Sequence, residues 1–272
     1  MKVLISTDIE GVAGVYHPEQ TRAGNGEYER ARRLMTEEAN AAIAGAFEAG
    51  ASEVLVNDSH GGFRNLLPDQ LDARAQVVQG KPRYLSMVAG VDEPGIAAVC
   101  MIGYHSRAQG RGILAHTINS FAFARVWLNG QELGEMGIYG ALAGEYGVPV
   151  AMASGDDVFI DEHRPLFPRT RFVQTKRATG HTAGISLAPV AACAAIRAGV
   201  AEALRAPLPP AFVLSGKIAV RIQTQTAALA DLFCQWPSLE RLAGDEIGFE
   251  APTVEAAVRM INSLSAMSSM LR

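Results

Sequence analysis

The sequence predicts an α/β fold in which a mainly parallel sheet is flanked by helices, with a smaller α+β C-terminal part. Three observations support this prediction. Short apolar runs at residues 3–7, 53–57 and 97–103 have the length of buried strands. A helical pattern at residues 27–49 separates the first two runs. Strand, helix and strand at these lengths indicate parallel strands joined by right-handed crossovers.

The first helix has clear sequence limits. Apolar residues recur at helical spacing along residues 27–49, and charged residues such as Arg30 and Glu37 lie between them. Gly50 is expected to end the helix, because glycine adopts the left-handed conformation that closes many helices.

A hairpin is predicted next, with strands at residues 123–128 and 131–133. Asn129-Gly130 lies between them and accepts the positive φ angles of a type I′ turn. A helix rich in Gly and Ala is expected at residues 135–146, where small side chains allow close backbone approach. Further strands are predicted at residues 148–153 and 171–174.

The C-terminal part is predicted to begin after a Leu-Pro-Pro linker at residues 208–210. Before the linker, Pro189 opens a helix that ends ahead of Pro207, because proline suits only the first turn of a helix. After it, alternation at residues 217–223 predicts a half-exposed strand, and Thr253 is expected to cap a final helix. The predicted domains are an α/β domain at 1–207 and a smaller α+β segment at 208–272.

Composition limits the classes of partner. The formal net charge is -4 and no basic run occurs, so neither nucleic acid nor a membrane surface is expected to bind. No apolar run approaches the roughly 20 residues of a membrane span, and Asp8 cuts the N-terminal run too short for a secretory signal. Cys100, Cys193 and Cys234 are expected to be buried free thiols, which fits a reducing cytoplasm.

Asp8 and Glu10 close the first predicted strand. In an extended chain, side chains two residues apart point the same way. Two like charges at so short a distance repel each other unless a cation lies between them. For the pair alone a solvated strand end is favoured, so a metal site depends on the other residues at that edge.

His60 and His105 each follow a predicted strand. In a parallel sheet both would lie at the carboxyl edge, where ligands bind. A single histidine there is more often an ordinary polar residue, but two beside Asp8 and Glu10 favour a metal site. Asp58 is a candidate to accept the other ring N–H of His60, since ligating imidazoles commonly donate to a carboxylate or carbonyl.

Glu135 follows the hairpin and begins a helix. The helix dipole stabilises such an acid by about 0.3–1 kcal/mol and keeps it ionised, so a structural role and metal binding are compatible. His116 lies in an apolar loop eleven residues after His105. That position suits a catalytic group but is a weak signal alone.

Together these residues form a mixed imidazole and carboxylate set, which favours zinc, or manganese or cobalt, over calcium or magnesium. The set contains Asp8, Glu10, His60, His105 and Glu135. Five ligands are more than one tetrahedral zinc needs but fewer than two separate zinc sites need. A shared carboxylate and a bridging water would complete two, with Asp8 as the natural bridge. Two zinc ions would then exceed the charge of the three carboxylates and acidify the water.

Other features are weaker candidates. Gly155-Asp156-Asp157 could support the site, although a turn is favoured. Lys176 could contact a substrate carboxylate, although a solvated surface lysine is favoured. Surface positions are expected for His17, His163 and His181.

Several segments resemble the binuclear-zinc D-aminopeptidases of bacterial dipeptide-transport operons. The matching segments are 6–11 (STDIEG), 35–40 (MTEEAN), 56–60 (VNDSH), 103–105 (GYH), 115–116 (AH), 134–137 (GEMG) and 155–157 (GDD). The similarity covers most of the first 160 residues in the same order and is looser after about Pro207. Because it is spread over so many segments, it is highly specific.

The resemblance implies a site and an assembly. The implied zinc ligands are Asp8, Glu10, His60, His105 and Glu135, with Asp8 bridging. His116 is implied as the catalytic residue, acting as nucleophile or as acid/base. The family forms a homo-oligomer, a ring-stacked decamer whose central channel admits short peptides. Preference for an N-terminal D-residue carries over less directly, because pocket walls after Arg171 contribute to stereochemical choice.

The expected reaction is hydrolysis of the first peptide bond of a short peptide by a metal-activated water, with His116 moving a proton to the leaving amine or stabilising the oxyanion. Two alternatives are open. Gly155-Asp156-Asp157 hints at a two-metal phosphoesterase, but no Gly-Asn-His-Glu/Asp element or Arg cluster for phosphate occurs. The other alternative is a non-catalytic, metal-stabilised scaffold, which the intact His116 opposes.

Overall fold

The computed structural model describes residues 1–272, which form two sheets and six α-helices. The main sheet contains β1 (Lys2–Thr7), β2 (Glu53–Asp58), β3 (Gln76–Val78), β4 (Ile96–Ile102), β7 (Val150–Asp156), β8 (Arg171–Gly180) and β9 (Ala183–Ser186). The small sheet contains β5 (Phe123–Leu128), β6 (Gln131–Glu132), β10 (Ile218–Thr224), β11 (Glu240–Arg241) and β12 (Glu246–Ala251). The helices are α1 (Gly26–Glu48), α2 (Glu135–Glu145), α3 (Asp157–His163), α4 (Pro189–Arg205), α5 (Ala227–Phe233) and α6 (Val254–Met267).

The main sheet has the strand order β3-β2-β1-β4-β7-β8-β9. All neighbouring strands are parallel except β8 and β9, which form an antiparallel hairpin. The predicted α/β class with a mainly parallel sheet is therefore confirmed. Because β1 lies between β2 and β4, the carboxyl ends of these three strands meet at one edge of the sheet.

The main sheet is covered on both faces, as parallel sheets usually are. Along β1, Val3 and Ile5 belong to the core that includes α1 and α4, whereas Leu4 belongs to the core that includes α2 and the small sheet. Neighbouring side chains of a strand point to opposite faces, so this alternation places one helical layer on each side. Gly45 allows α1 and α4 to pack closely, because a Cβ atom there would lie 2.4 Å from the backbone oxygen of Arg197.

Local sequence signals set several element ends as predicted. Asn129 and Gly130 both have positive φ angles, 50° and 78°, in the turn between β5 and β6. Thr253 caps α6 by accepting the N–H of Ala256 at 3.0 Å. Pro189 occupies the first turn of α4.

The small sheet has the order β11-β12-β10-β5-β6, and its neighbouring strands are antiparallel. The predicted strand at 217–223 corresponds to β10, whose side chains alternate between buried and accessible positions. Two strands of this sheet precede residue 207 and three follow it. The two parts of the chain thus share one sheet, and the domain boundary near residue 207 stays a prediction.

All three cysteines are free, as predicted, but only Cys100 is fully buried, and Cys193 and Cys234 are half-buried. None of the helices combines the length and the hydrophobicity needed to cross a bilayer.

Candidate metal centre

The structure brings the five predicted ligands together at the edge where β1, β2 and β4 end. Asp8 and Glu10 follow β1, His60 follows β2 and His105 follows β4, while Glu135 is the first residue of α2. The carboxylates and His105 are at most 4% exposed. Five polar side chains from four segments therefore converge in a largely buried cluster.

Asp8 lies between the two imidazoles, and each of its oxygens faces a different one. Asp8 Oδ1 lies 3.3 Å from His60 Nδ1, and Asp8 Oδ2 lies 3.2 Å from His105 Nε2. A second acid faces each histidine, with Glu10 Oε2 3.0 Å from His60 Nδ1 and Glu135 Oε2 3.4 Å from His105 Nε2. Atoms about 2.0–2.2 Å from a tetrahedral zinc lie about 3.3–3.6 Å apart. The measured separations lie in or slightly below this range, so these atoms are close enough together to ligate metal.

Each imidazole is oriented by a backbone carbonyl. His60 Nε2 donates to Thr21 O at 2.8 Å, and His105 Nδ1 donates to Ser106 O at 2.9 Å. The other ring nitrogen of each histidine therefore presents a lone pair to the carboxylates when the ring is neutral. The prediction that Asp58 accepts the other ring N–H of His60 is wrong, because the Asp58 carboxylate accepts the backbone N–H groups of Asn65 and Leu66 instead.

Three atoms at the centre of the cluster are buried without a hydrogen-bond partner: Asp8 Oδ2, Glu10 Oε2 and His105 Nε2. Lone pairs that face each other in a buried site repel, and unpaired buried charge is costly. A divalent cation at this point would convert the repulsion into coordination. The residues present therefore fit a metal site, and their mixed nitrogen and oxygen atoms suit zinc.

The pKa values show how strongly the groups interact without a metal. Burial lowers the pKa of His60 and His105, but the neighbouring carboxylates outweigh it and raise both values well above the ordinary range. Burial raises the pKa of Asp8, but the two neighbouring imidazoles outweigh it and hold the value well below its usual range. For Glu135, burial is likewise outweighed by His105, which lowers its pKa. Metal binding must therefore compete with protons on the imidazoles.

Two glycines let the acid-bearing loop touch the histidine-bearing loop. A Cβ atom on Gly11 would lie 2.0 Å from Tyr104 O, and one on Gly103 would lie 2.4 Å from Asp8 O. Gly11 N donates to Gly103 O at 2.7 Å. Larger residues at either position would push Asp8 away from His105.

Lys176 is buried, so the prediction of a solvated surface lysine is wrong. The loop after β1 covers it, and its ammonium donates to the backbone oxygens of Glu10 and Val15, at 2.6 Å in the latter case. Burial lowers its pKa to about 8. Buried Glu38 accepts the N–H of Ala13 at 2.8 Å. Together these side chains fix the loop that carries Asp8 and Glu10.

His116 lies beside the cluster in a loop that is fixed at several points. Leu114 N donates to His181 O at 2.8 Å, and His116 Nδ1 donates to Leu114 O at 2.9 Å. The His116 ring stacks on His105 with centroids 4.1 Å apart, and its Nε2 lies 3.7 Å from Glu135 Oε1. With its side chain 20% exposed, His116 is more accessible than His105 or Glu135.

The segment Gly155-Asp156-Asp157 is the junction between β7 and α3 rather than an isolated turn. The Asp156 carboxylate accepts the N–H of Phe159 at 2.8 Å, which caps α3. It also accepts the N–H of Ile113 at 2.7 Å. Asp156 therefore anchors the start of the His116 loop, which is a supporting role and not a ligand role.

Of the other histidines, His17 and His181 are exposed as predicted, but His163 is buried. Its Nδ1 donates to Phe159 O at 2.8 Å, and its ring lies 4.7 Å from the Phe159 ring. Burial lowers its pKa to about 4 and keeps it neutral. His163 is thus part of the packing of α3, which the single-residue pattern does not reveal.

A cleft of about 1090 Å³ opens onto the cluster, and Asp8, Glu10, His60, His116 and Glu135 contribute to its lining. The cleft gives a small substrate access to the candidate ligands and to His116. Its other walls contain several Lys and Arg side chains that the sequence did not single out, because they come from distant segments without a shared motif.

Residues 1–263 match the model of the peptidase M55 family, described as D-aminopeptidase. The chain belongs to this family. The D-aminopeptidase of Bacillus subtilis (strain 168) is 38% identical to this chain over 192 residues, which are 71% of this chain and 69% of the relative. The resemblance predicted from the sequence segments is confirmed, and the protein is a peptidase.

A solved structure of the same overall form comes from Bacillus subtilis. It is the zinc-dependent D-aminopeptidase DppA, described as a self-compartmentalizing protease. The match to the present chain has a TM-score of 0.95 and 29% sequence identity, and it covers 99% of this chain and 98% of the DppA chain. The likeness therefore includes both sheets and all helices.

Metal binding at the cluster is expected to release protons. Because the carboxylates raise the pKa of His60 and His105, Zn²⁺ must displace protons from the imidazoles, and its affinity should fall as the pH falls. Calorimetric titration of metal-free protein near pH 7, in two buffers of different protonation enthalpy, should report about one to two protons released. Affinity that is constant between about pH 6 and pH 8, without proton release, would contradict the described cluster.

Proposed function

We propose that this family member removes the N-terminal residue, preferably a D-residue, from short peptides and that it uses two zinc ions. The observation that carries the proposal is the position of Asp8, whose two oxygens face the free nitrogens of His60 and His105. The zinc requirement also draws support from the likeness to the zinc-dependent DppA.

In the proposed site, Asp8 is shared between two groups of ligands. Glu10 and His60 complete one group, and His105 and Glu135 complete the other. Bound zinc polarises a carbonyl group and lowers the pKa of coordinated water to about 7. The buried surroundings strengthen these electrostatic effects, because the local dielectric is low.

His116 is the proposed group for proton transfer. Its Nδ1–H is held by Leu114 O, which leaves Nε2 able to accept a proton. Its ring lines the cleft beside Glu135, so Nε2 can reach a peptide nitrogen there. Donation of that proton to the leaving amine would prevent the peptide bond from re-forming.

The zinc-loaded protein is expected to hydrolyse a D-alanyl dipeptide faster than its L-isomer, because its relatives are D-aminopeptidases. Chelation by phenanthroline should remove the activity, and added zinc should restore it. Release of free alanine is the readout, with p-nitrophenyl phosphate as a comparison substrate. Turnover of the phosphate ester without turnover of either dipeptide would favour the phosphoesterase alternative.

His116→Ala is expected to retain both metals and to lose activity by about 100-fold or more, because a positioned proton donor typically contributes that much. Metal content by elemental analysis and kcat on a D-alanyl dipeptide measure the two effects. His17→Ala is the control, since His17 is exposed and lies outside the cleft. Loss of a metal from His116→Ala would instead identify His116 as a ligand, and near-normal activity would remove it from the mechanism.

We also propose that the chain assembles into a homo-oligomer, a decamer, that encloses its active sites. The support is the likeness along the whole chain to a protease described as self-compartmentalizing. Enclosure would restrict the substrates to short peptides. Light scattering of the purified protein should give a particle of about ten chains, whereas a monomer would contradict the assembly.

A further inference from the structure

The cleft separates its charges into two regions. All carboxylates in its lining belong to Asp8, Glu10 and Glu135 at the metal centre. Lysine and arginine side chains line other parts of the walls, and these are Arg22, Lys81, Arg83, Arg259 and Arg272. A short peptide has a complementary distribution, with an amine at one end and a carboxylate at the other.

Two of these cations are already neutralised by neighbouring acids. Arg22 Nη1 lies 3.7 Å from Glu19 Oε1, and Arg259 Nη1 lies 3.1 Å from Glu255 Oε1. Arg272 is exposed and donates to an asparagine side chain. The two ion-paired cations are therefore less suited to hold an anionic ligand than a cation without an acidic partner. Arg272 stands alone, whereas Lys81 and Arg83 contact one shared ring.

Lys81 and Arg83 have no such neutralisation. Arg83 donates only to uncharged oxygens, including the side-chain oxygen of Asn57 and the backbone oxygen of Asp58, and its Nε is buried without a partner. Lys81 Nζ and Arg83 Cζ lie 4.5 Å and 3.9 Å from the centroid of the Phe63 ring. Both cations thus contact the same aromatic ring through cation–π contacts, which do not neutralise their charge.

The two positive charges affect each other. Burial and the charge of Arg83 lower the pKa of Lys81, and burial lowers the pKa of Arg83 to about 10. The charge of Asp58 partly offsets the effect of burial on Arg83, whereas Lys81 has no acidic partner, so a bound anion would stabilise the charge of Lys81. Lys81 is exposed to the cleft and can move toward such an anion, whereas Arg83 is half-buried and fixed by its hydrogen bonds.

We propose that Lys81 and Arg83 form the subsite for the C-terminal carboxylate of the peptide substrate. Lys81 contacts the carboxylate through a charge-assisted hydrogen bond, and Arg83 adds a fixed positive charge behind it. The inference rests on the proposed function, because it assigns the far end of the same substrate. It makes the enzyme selective for peptides that end in a free carboxylate close to the scissile bond.

One loop connects the metal centre and this subsite. His60 and Phe63 lie on the same turn, where Phe63 N donates to His60 O at 2.8 Å. Asn65 Nδ2 donates to the same oxygen at 2.6 Å. A ligand residue and the aromatic ring that contacts both cations therefore belong to one hydrogen-bonded turn.

The test compares D-alanyl-D-alanine with its C-terminal amide, using zinc-loaded protein. Released D-alanine is measured, with two counted per bond cleaved for the acid and one for the amide. The wild-type protein should prefer the free acid. Lys81→Met should lower the acid-to-amide ratio of kcat/KM by about tenfold, mainly through a higher KM for the acid, because a charged hydrogen bond is lost. Lys81→Arg, which keeps the charge, should retain most of the preference.

Lys217→Met is the matched control. Lys217 is exposed outside the cleft and lies 3.5 Å from Glu250, so the variant removes the same charge at a distant site. Its acid-to-amide ratio should equal that of the wild type. A change in this control equal to that of Lys81→Met would overturn the proposal, because it would assign the effect to net charge.

The remaining outcomes separate the two proposals. An equal acid-to-amide ratio in the wild type and in Lys81→Met overturns the carboxylate subsite, while hydrolysis of both peptides leaves the proposed function standing. If wild-type protein loaded with zinc hydrolyses neither peptide, the proposed function itself fails.

Discussion

The contact of Asp8 with two imidazoles is the interaction on which the functional end of this protein depends. Its two oxygens face the free nitrogens of His60 and His105 in a buried site, where unpaired lone pairs are unfavourable. Backbone carbonyls hold both rings in this orientation, so one nitrogen of each ring stays directed at Asp8. The fold therefore maintains an arrangement that is stable only with protons or a metal between the ligands.

The sheet and its loops supply the rigidity that this arrangement requires. β1 lies between β2 and β4, so the three ligand-bearing strand ends are fixed relative to one another by hydrogen bonds between neighbouring strands. Gly11 and Gly103 permit the close approach of two ligand loops, and Lys176 fastens the backbone of one of them from within the core. Substrate contacts and proton transfer can then be provided by the more accessible walls of the cleft.

Much of this site could be predicted, because strand ends and ligand residue types are local features. Apolar runs followed by Asp8, His60 and His105 place these residues at one sheet edge as soon as the sheet is recognised as parallel. The orientation of the rings could not be predicted, since backbone carbonyls leave no mark in the sequence. Lys176 lies between polar residues and gives no sign of burial, which results from a loop more than a hundred residues earlier in the chain.

For secondary structure as well, local sequence features could be predicted and features that depend on distant residues could not. Long periodic segments and the Asn-Gly turn were predictable from local preferences. The short β3, β9 and β11 have too few residues to show a pattern, and α3, α5 and β12 also escape prediction.

The most direct test of the shared position of Asp8 is a crystal structure of zinc-loaded protein with anomalous scattering at the zinc edge. Two peaks are expected, one between Asp8, Glu10 and His60 and one between Asp8, His105 and Glu135. A single peak, or peaks that do not contact Asp8, would contradict the account.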